Sequence, residues 1–216
     1  MLHKKKNTLG LIFILGVLLL PACQKSPSAS HVALTYYELI IKQNTSDIIS
    51  LGISDETAKA IATDIKENLH TQISEKLDMN GRISIANSKI TQVEEAYLAS
   101  LQKLHATASD QKEDDCSLVT LSTSYIDYAA IDEAATLEAL NEVDIRQFSD
   151  QALYLSTLTD VYISYLVSGY QNAEPSKTYN ESTFTFTLQN GLWLPDDYDA
   201  FTTELCNLVS TSNKMP

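Results

Sequence analysis

Two stretches of this chain alternate with period two, and a long helical pattern lies between them. From Cys116 to Tyr128, Val119, Leu121, Thr123, Tyr125 and Asp127 alternate with Leu118, Thr120, Ser122, Ser124, Ile126 and Tyr128. From Thr183 to Leu188, Phe184, Phe186 and Leu188 fall on one face and threonines on the other. Such alternation marks half-buried strands. Asn190-Gly191 is a strong two-residue hairpin signal, and Leu192-Trp193-Leu194 begins a return strand. Strands separated by helices must still pair to satisfy their backbone groups. The expectation is a helix-rich α+β domain: a small antiparallel sheet with helices packed on one face.

The helices are read from period and punctuation. Val32, Tyr36, Leu39 and Ile40 share a face over 31–43. Ser54 caps a second helix, followed by Asp55 and Glu56 in its first turn. Its stripe runs through Ala58, Ile61, Ala62, Ile65, Leu69, Ile73 and Leu77, and Asn80-Gly81 ends it. Residues 82–90 give only a weak strand signal at Ile83 and Ile85. Thr91-Gln92-Val93-Glu94 reads as a capping box for a helix carrying Val93, Ala96, Tyr97, Leu101 and Leu104. The polar run 109–115 separates this part from the first strand. Ala, Leu and Glu dominate 131–143, a helix by propensity. A longer helix opens near Ser149, buries Leu155, Leu158, Tyr162, Tyr165 and Leu166, and stops before Pro175. Pro195-Asp196-Asp197 opens a last helix with Tyr198, Phe201, Leu205 and Leu208 inward.

The first 23 residues give an address. Lys4, Lys5 and Lys6 precede an uncharged apolar run, Leu9 to Leu20, and then come Pro21, Ala22 and Cys23. The run falls short of the roughly 20 residues that span a bilayer, and the order positive, apolar, small is that of an export signal. The segment Leu20-Pro21-Ala22-Cys23 resembles a bacterial lipoprotein signal, which has leucine three before the cysteine and a small residue one before it; Pro21 departs from the usual small or apolar residue. The resemblance implies cleavage between Ala22 and Cys23, diacylglycerol on the Cys23 sulfur, and retention on the outer face of the cell membrane. The divisions expected are a signal peptide (1–22), a lipidated tether (23–31) and one extracytoplasmic domain (32–213), with a possible division into lobes 32–115 and 116–213.

Removing residues 1–22 takes away three lysines and no acid, leaving 12 basic against 28 acidic residues and a formal charge of −16. Such a chain repels phosphate backbones, so nucleic acid is not an expected partner. With Cys23 acylated, Cys116 and Cys206 remain as either a disulfide or two free thiols.

The chemistry-bearing residues are sparse. His31, His70 and His105 have no metal-ligand spacing. No glycine-rich phosphate loop and no nucleophile elbow is present. Asp196, Asp197 and Asp199 lack the glycine and distal glutamate of a calcium loop and suit a helix start. No cofactor, metal site or catalytic set is expected. Tyrosine is the enriched type: Tyr125, Tyr128, Tyr162, Tyr165 and Tyr170 either line a pocket for an apolar or ring-shaped ligand or pack as core with hydroxyls at its rim.

Leu51-Gly52-Ile53-Ser54, Ser124-Tyr125-Ile126-Asp127, Ala173-Glu174-Pro175 and Asn190 to Pro195 together resemble a family of uncharacterised lipoproteins of Gram-positive bacteria. That resemblance implies a cystatin-like, nuclear-transport-factor-2-like fold, a curved sheet around a helix, and no known activity. The expected role is non-enzymatic binding of a protein, an envelope component or a small solute near the membrane.

Two acyl chains anchor a protein stably where one gives only marginal binding. Cys23→Ser is therefore expected to move the protein from the membrane fraction to the medium and to abolish lipid labelling. Retention at the unsubstituted level would contradict the anchor.

Overall fold

The structure is a computed structural model that describes residues 27–78 and 83–210. The signal segment with Leu20, Pro21, Ala22 and Cys23, the helix stop at Asn80-Gly81, and residues 211–213 of the expected domain lie outside the described residues. The elements are α1 (Ala29–Lys42), α2 (Asp55–Leu77), α3 (Asn87–Leu101), β1 (Ala106–Glu113), β2 (Cys116–Ser124), α4 (Tyr128–Glu142), α5 (Gln151–Asn172), β3 (Tyr179–Gln189), β4 (Leu192–Pro195) and α6 (Tyr198–Leu208). Short 3-10 turns occupy Ile48–Leu51 and Ile145–Gln147.

The four strands form one antiparallel sheet in the order β1-β2-β3-β4. Expected and observed architecture agree: an α+β fold with helices on one face of the sheet. Asn190 and Gly191 both take positive φ, 53° and 83°, as a two-residue turn matched to strand twist requires. Ser117, Val119, Leu121 and Thr123 of β2 point inward with Phe184 and Phe186 of β3. The other row, with Cys116, Leu118, Thr120 and Ser122, faces outward beside the β3 threonines.

β1 falls where the sequence shows only a polar separator. It is an edge strand of Ala, Thr, Ser, Asp, Gln, Lys and Glu, almost wholly exposed, so no apolar alternation marks it. The charges at Asp110, Lys112 and Glu113 suit an edge that must not pair with another chain.

α1 lies across the inner face. It begins at Ala29, capped by Ser28, so the domain starts before the expected boundary at residue 32. Val32, Tyr36, Tyr37 and Leu39 are fully or almost fully buried. The Tyr37 hydroxyl pairs with Thr123 Oγ1 at 2.9 Å, and burial pushes its pKa up to about 12. α6 covers the rest of the face: Phe201 meets Tyr36, Phe184 and Phe186 with ring centroids 4.8–6.0 Å apart. Asp197 caps α6 at Ala200 N, and Asn180 Nδ2 donates to Leu208 O at its other end.

The remaining helices attach at the end of the sheet. Lys103 Nζ donates to the carbonyls of Gln171 (2.7 Å) and Ala173 (2.9 Å), placing a cation at the C-terminus of α5. α5 packs against α3 and α4 rather than the sheet. Its 22 residues carry the α4–α5 turn about 33 Å from that attachment. Gly169 is required there, because a Cβ would lie 2.5 Å from Ile131 Cγ2 of α4.

Two apolar clusters result. One joins α1, the start of α2, the sheet and α6; the other joins the end of α2 with α3, α4 and α5. Each draws on both halves of the chain, so the cores do not follow a division at residue 115. The stripe on α2 is shallower than its sequence implies: Ala58, Ile61 and Leu77 are buried, whereas Ala62, Ile65, Leu69 and Ile73 are half-buried. Residues 83–86 form no strand, and Asp150 rather than Ser149 caps α5.

Phe201→Ala removes the ring on which three other rings converge. It is expected to cost about 3–5 kcal/mol in urea unfolding. A loss below about 1 kcal/mol would show that this contact does not organise the core.

Candidate functional site

The expected tyrosine set does not form one pocket. Tyr128 and Tyr170 pack with Tyr97 of α3, which was expected only as part of a core stripe; the three ring centroids are 4.9–5.6 Å apart. Tyr128 also pairs with Ser100 Oγ at 2.9 Å. Burial raises all three phenols, Tyr97 to about 12. These rings join the two apolar clusters and serve as core. Tyr125 pairs with Thr178 Oγ1 at 3.2 Å, and Tyr165 donates to Glu142 Oε2 at 2.8 Å. Of the five, Tyr162 alone lines a cavity described among these residues.

That cavity is a cleft of about 200 Å³ between α2, α4 and α5. Leu77, Ala139, Leu140, Leu158 and Thr159 wall it, with Lys76, Thr136 and Tyr162. At its mouth the Asp132 carboxylate accepts from Lys76 Nζ at 2.8 Å and from the Tyr162 hydroxyl. Burial by itself would raise the Asp132 carboxyl. The two hydrogen bonds and the Lys76 charge outweigh it and hold the group below the usual carboxylate range. The stabilisation this gives is present above the ordinary carboxylate pKa and is lost as pH falls through the lower folded value.

The cysteine pair is not bridged. Cys116 and Cys206 are free in the structure. Cys116 belongs to the outward row of β2, whereas α6, which carries Cys206, covers the inward face. The sheet therefore stands between them, and a disulfide needs Cα atoms within about 7 Å. The alternation in β2 holds the reason: Cys116 is in register with Leu118 and Thr120, not with Val119 and Leu121.

One polar constellation carried no signal in the sequence. Glu94, read as the last residue of a capping box, does not cap. α3 begins at Asn87, after Ala86, and Thr91 lies inside the helix. The Glu94 side chain is 3% exposed and bonds His70 Nδ1 of α2 at 2.7 Å. His70 Nε2 lies 3.0 Å from Asn87 Oδ1, and Lys66 Nζ is 3.6 Å from Glu94 Oε1, which has no hydrogen-bond partner. The arrangement clasps α2 to α3 where the stripe on α2 is shallow. Among the described residues, no three His, Cys, Asp or Glu side chains gather as metal ligands.

The remaining unusual surface is apolar. Seven large hydrophobic side chains are exposed among the described residues, and four of them, Leu137, Leu140, Ile145 and Leu153, lie on the α4–α5 hairpin. Among the described residues, no helix is long and apolar enough to cross a membrane.

No family model and no curated protein matches this chain. A solved structure that does match is a Bacillus subtilis protein (YcdA), provisionally described as a lipoprotein, determined by crystallography at 2.62 Å. It aligns with 84% of this chain at a TM-score of 0.57 and 12% identity. The chain spans 56% of the length of that structure. The likeness is one of fold.

His70→Ala leaves the Glu94 carboxylate buried with only the distant Lys66 charge. It is expected to cost about 2–4 kcal/mol, and adding Glu94→Leu is expected to recover part of that loss. Additive losses in a double-mutant cycle, with coupling under about 0.5 kcal/mol, would mean that the clasp contributes nothing as a pair.

Proposed function

We propose that this chain is an exported lipoprotein, held by acylated Cys23 on the outer face of a Gram-positive cell membrane, that binds a partner protein without acting as an enzyme. The observation that carries the reading is the exposure of Leu137, Leu140, Ile145 and Leu153 on one hairpin. Apolar exposure scattered singly is ordinary; four such side chains on one supersecondary unit mark an interaction surface.

The tether supports the placement. α1 is capped at Ser28, so only residues 24–27 separate the anchor from the folded domain. The start of α1 then lies within roughly 20 Å of the bilayer. The α4–α5 hairpin extends from the other end of α1, beyond Gln102, whose Nε2 donates to Lys42 O. The lipid anchor thus holds one end of the domain and leaves the apolar hairpin facing outward. The fold likeness to a protein described as a lipoprotein agrees with this reading. A sheet crossed by α1 also suits the cystatin-like arrangement that the sequence resemblance implies.

Solute binding is the weaker reading. The cleft beside Tyr162 holds about 200 Å³, below the roughly 300 Å³ at which small-molecule sites begin. The larger hollow of about 710 Å³ lined by Ile83, Ser84, Gln151, Ala152, Leu155 and Ser156 is wide open to solvent and has no aromatic wall.

Surface crosslinking on intact cells tests the proposal. Ile145→Asp and Leu153→Asp, combined, are expected to remove a crosslinked adduct that the unsubstituted chain forms, with membrane retention and unfolding midpoint unchanged. An adduct pattern indifferent to both substitutions would overturn it.

A further inference from the structure

We propose that the outer face of α4 and the cleft beneath Leu140 form a docking groove for a basic amphipathic helix of a partner protein. The proposal rests on the partner-binding reading and names the chemistry of the occupant.

The charge of α4 is one-sided. It carries Asp132, Glu133, Glu138 and Glu142 and no lysine, arginine or histidine. Asp132 is engaged by Lys76 and Tyr162, and Glu142 accepts from Tyr165. Glu133 and Glu138 are exposed and form no ion pair among the described residues. Bases three or four positions from these acids would stabilise an exposed helix. Here that complement is missing on a helix whose outer side also exposes Leu137 and Leu140 (54% and 51%).

The groove has a floor as well as flanks. Leu140 is both exposed and a wall of the cleft, so the apolar surface continues inward between α4, α5 and α2 to Leu77, Ala139 and Leu158. A space of about 200 Å³ matches one large apolar side chain and little more. Protein interfaces concentrate their energy in such anchors, and amphipathic helices supply them from one face. Lys76 does not repel a basic occupant strongly, since Asp132 neutralises it at 2.8 Å. A second copy of this chain fits less well. Pairing α4 with α4 would bring Glu133 and Glu138 together, on chains of formal charge −16 after residue 22.

The test uses the full chain carrying Cys23→Ser and a Leu/Lys peptide patterned as an amphipathic helix. Leu137→Asp with Leu140→Asp is expected to weaken peptide binding about tenfold or more. Glu133→Gln with Glu138→Gln is expected to weaken it about threefold and to flatten its salt dependence. Glu56→Gln with Glu67→Gln, exposed acids on α2, should change it less than about twofold. Thr136→Trp, which fills the cleft from its edge, should also reduce binding. Circular dichroism and unfolding midpoints confirm that each variant folds. Equal binding by a Leu/Glu peptide, or by a Leu/Lys peptide of scrambled pattern, would overturn the proposal, as would insensitivity to the α4 substitutions. Concentration-dependent dimerisation abolished by Leu137→Asp and Leu140→Asp would assign the face to a second copy and also overturn it. If the cell-surface adduct still depends on Ile145 and Leu153 while the peptide fails, the basic occupant is wrong and partner binding stands. If both fail, both readings fall.

Discussion

The sheet buries one face only, and the position of the packed helices follows from that asymmetry. Val119, Leu121, Phe184 and Phe186 require a cover, and α1 and α6 supply it through Tyr36, Tyr37 and Phe201. With that face filled, α3, α4 and α5 find only the threonine- and serine-rich outer face of the sheet uncovered. They attach instead at the sheet's end, where Tyr97, Tyr128 and Tyr170 interlock and Lys103 holds the C-terminus of α5. Large rings suit that junction because each buries much area in a fixed orientation while its hydroxyl can reach a polar partner. The long α4–α5 hairpin is a consequence: it is fixed at its base and turned outward at its tip.

The polar clasp between α2 and α3 shows the same economy on a smaller scale. The middle of α2 buries little apolar surface, so His70, Lys66 and Asn87 around Glu94 hold it in register. A buried carboxylate is a costly device for that purpose, since desolvation opposes it and the Coulomb gain depends on geometry. What it adds over an apolar contact is direction. Sliding α2 by one turn would leave Glu94 without His70, a penalty that a methyl-lined stripe would not impose.

Much of this architecture was legible in the sequence. Period-two alternation located β2 and β3, Asn190-Gly191 located the turn from β3 to β4, and Ser54 and Pro195-Asp196-Asp197 located helix starts. Each of those signals is local and is set by backbone chemistry. β1 was not legible because an edge strand exposed on almost every residue has no apolar rhythm to show. Thr91 to Glu94 misled because the capping-box pattern also fits residues inside a helix, and Glu94 found a better partner across the interface than along its own chain. The pairing of Cys116 with Cys206 depended on which face of β2 the first cysteine occupies, and one position in register reverses that answer. Of the five tyrosines weighed as pocket or core, Tyr162, Tyr165 and Tyr170 fall on α5 as expected, but β2 stops at Ser124, so Tyr125 lies beyond the strand and Tyr128 opens α4. Their grouping is tertiary, and the third ring of the cluster, Tyr97, was marked only as one more apolar residue at helical spacing.

The exposed leucines of α4 follow a different logic. Ile131, Ala135 and Ala139 lie on the packed side of α4, with Gly169 of α5 making room for Ile131. Leu137 and Leu140 lie off that side and are half exposed or more, as are Ile145 and Leu153 beyond it. The fold gains little from them and the surrounding acids keep the surface soluble, so neither core packing nor solubility accounts for their presence. On the proposed reading, these exposed side chains, flanked on α4 by charge of one sign, serve an encounter with another molecule. The same acids that keep the hairpin soluble while unoccupied would then select the sign of what lands on it.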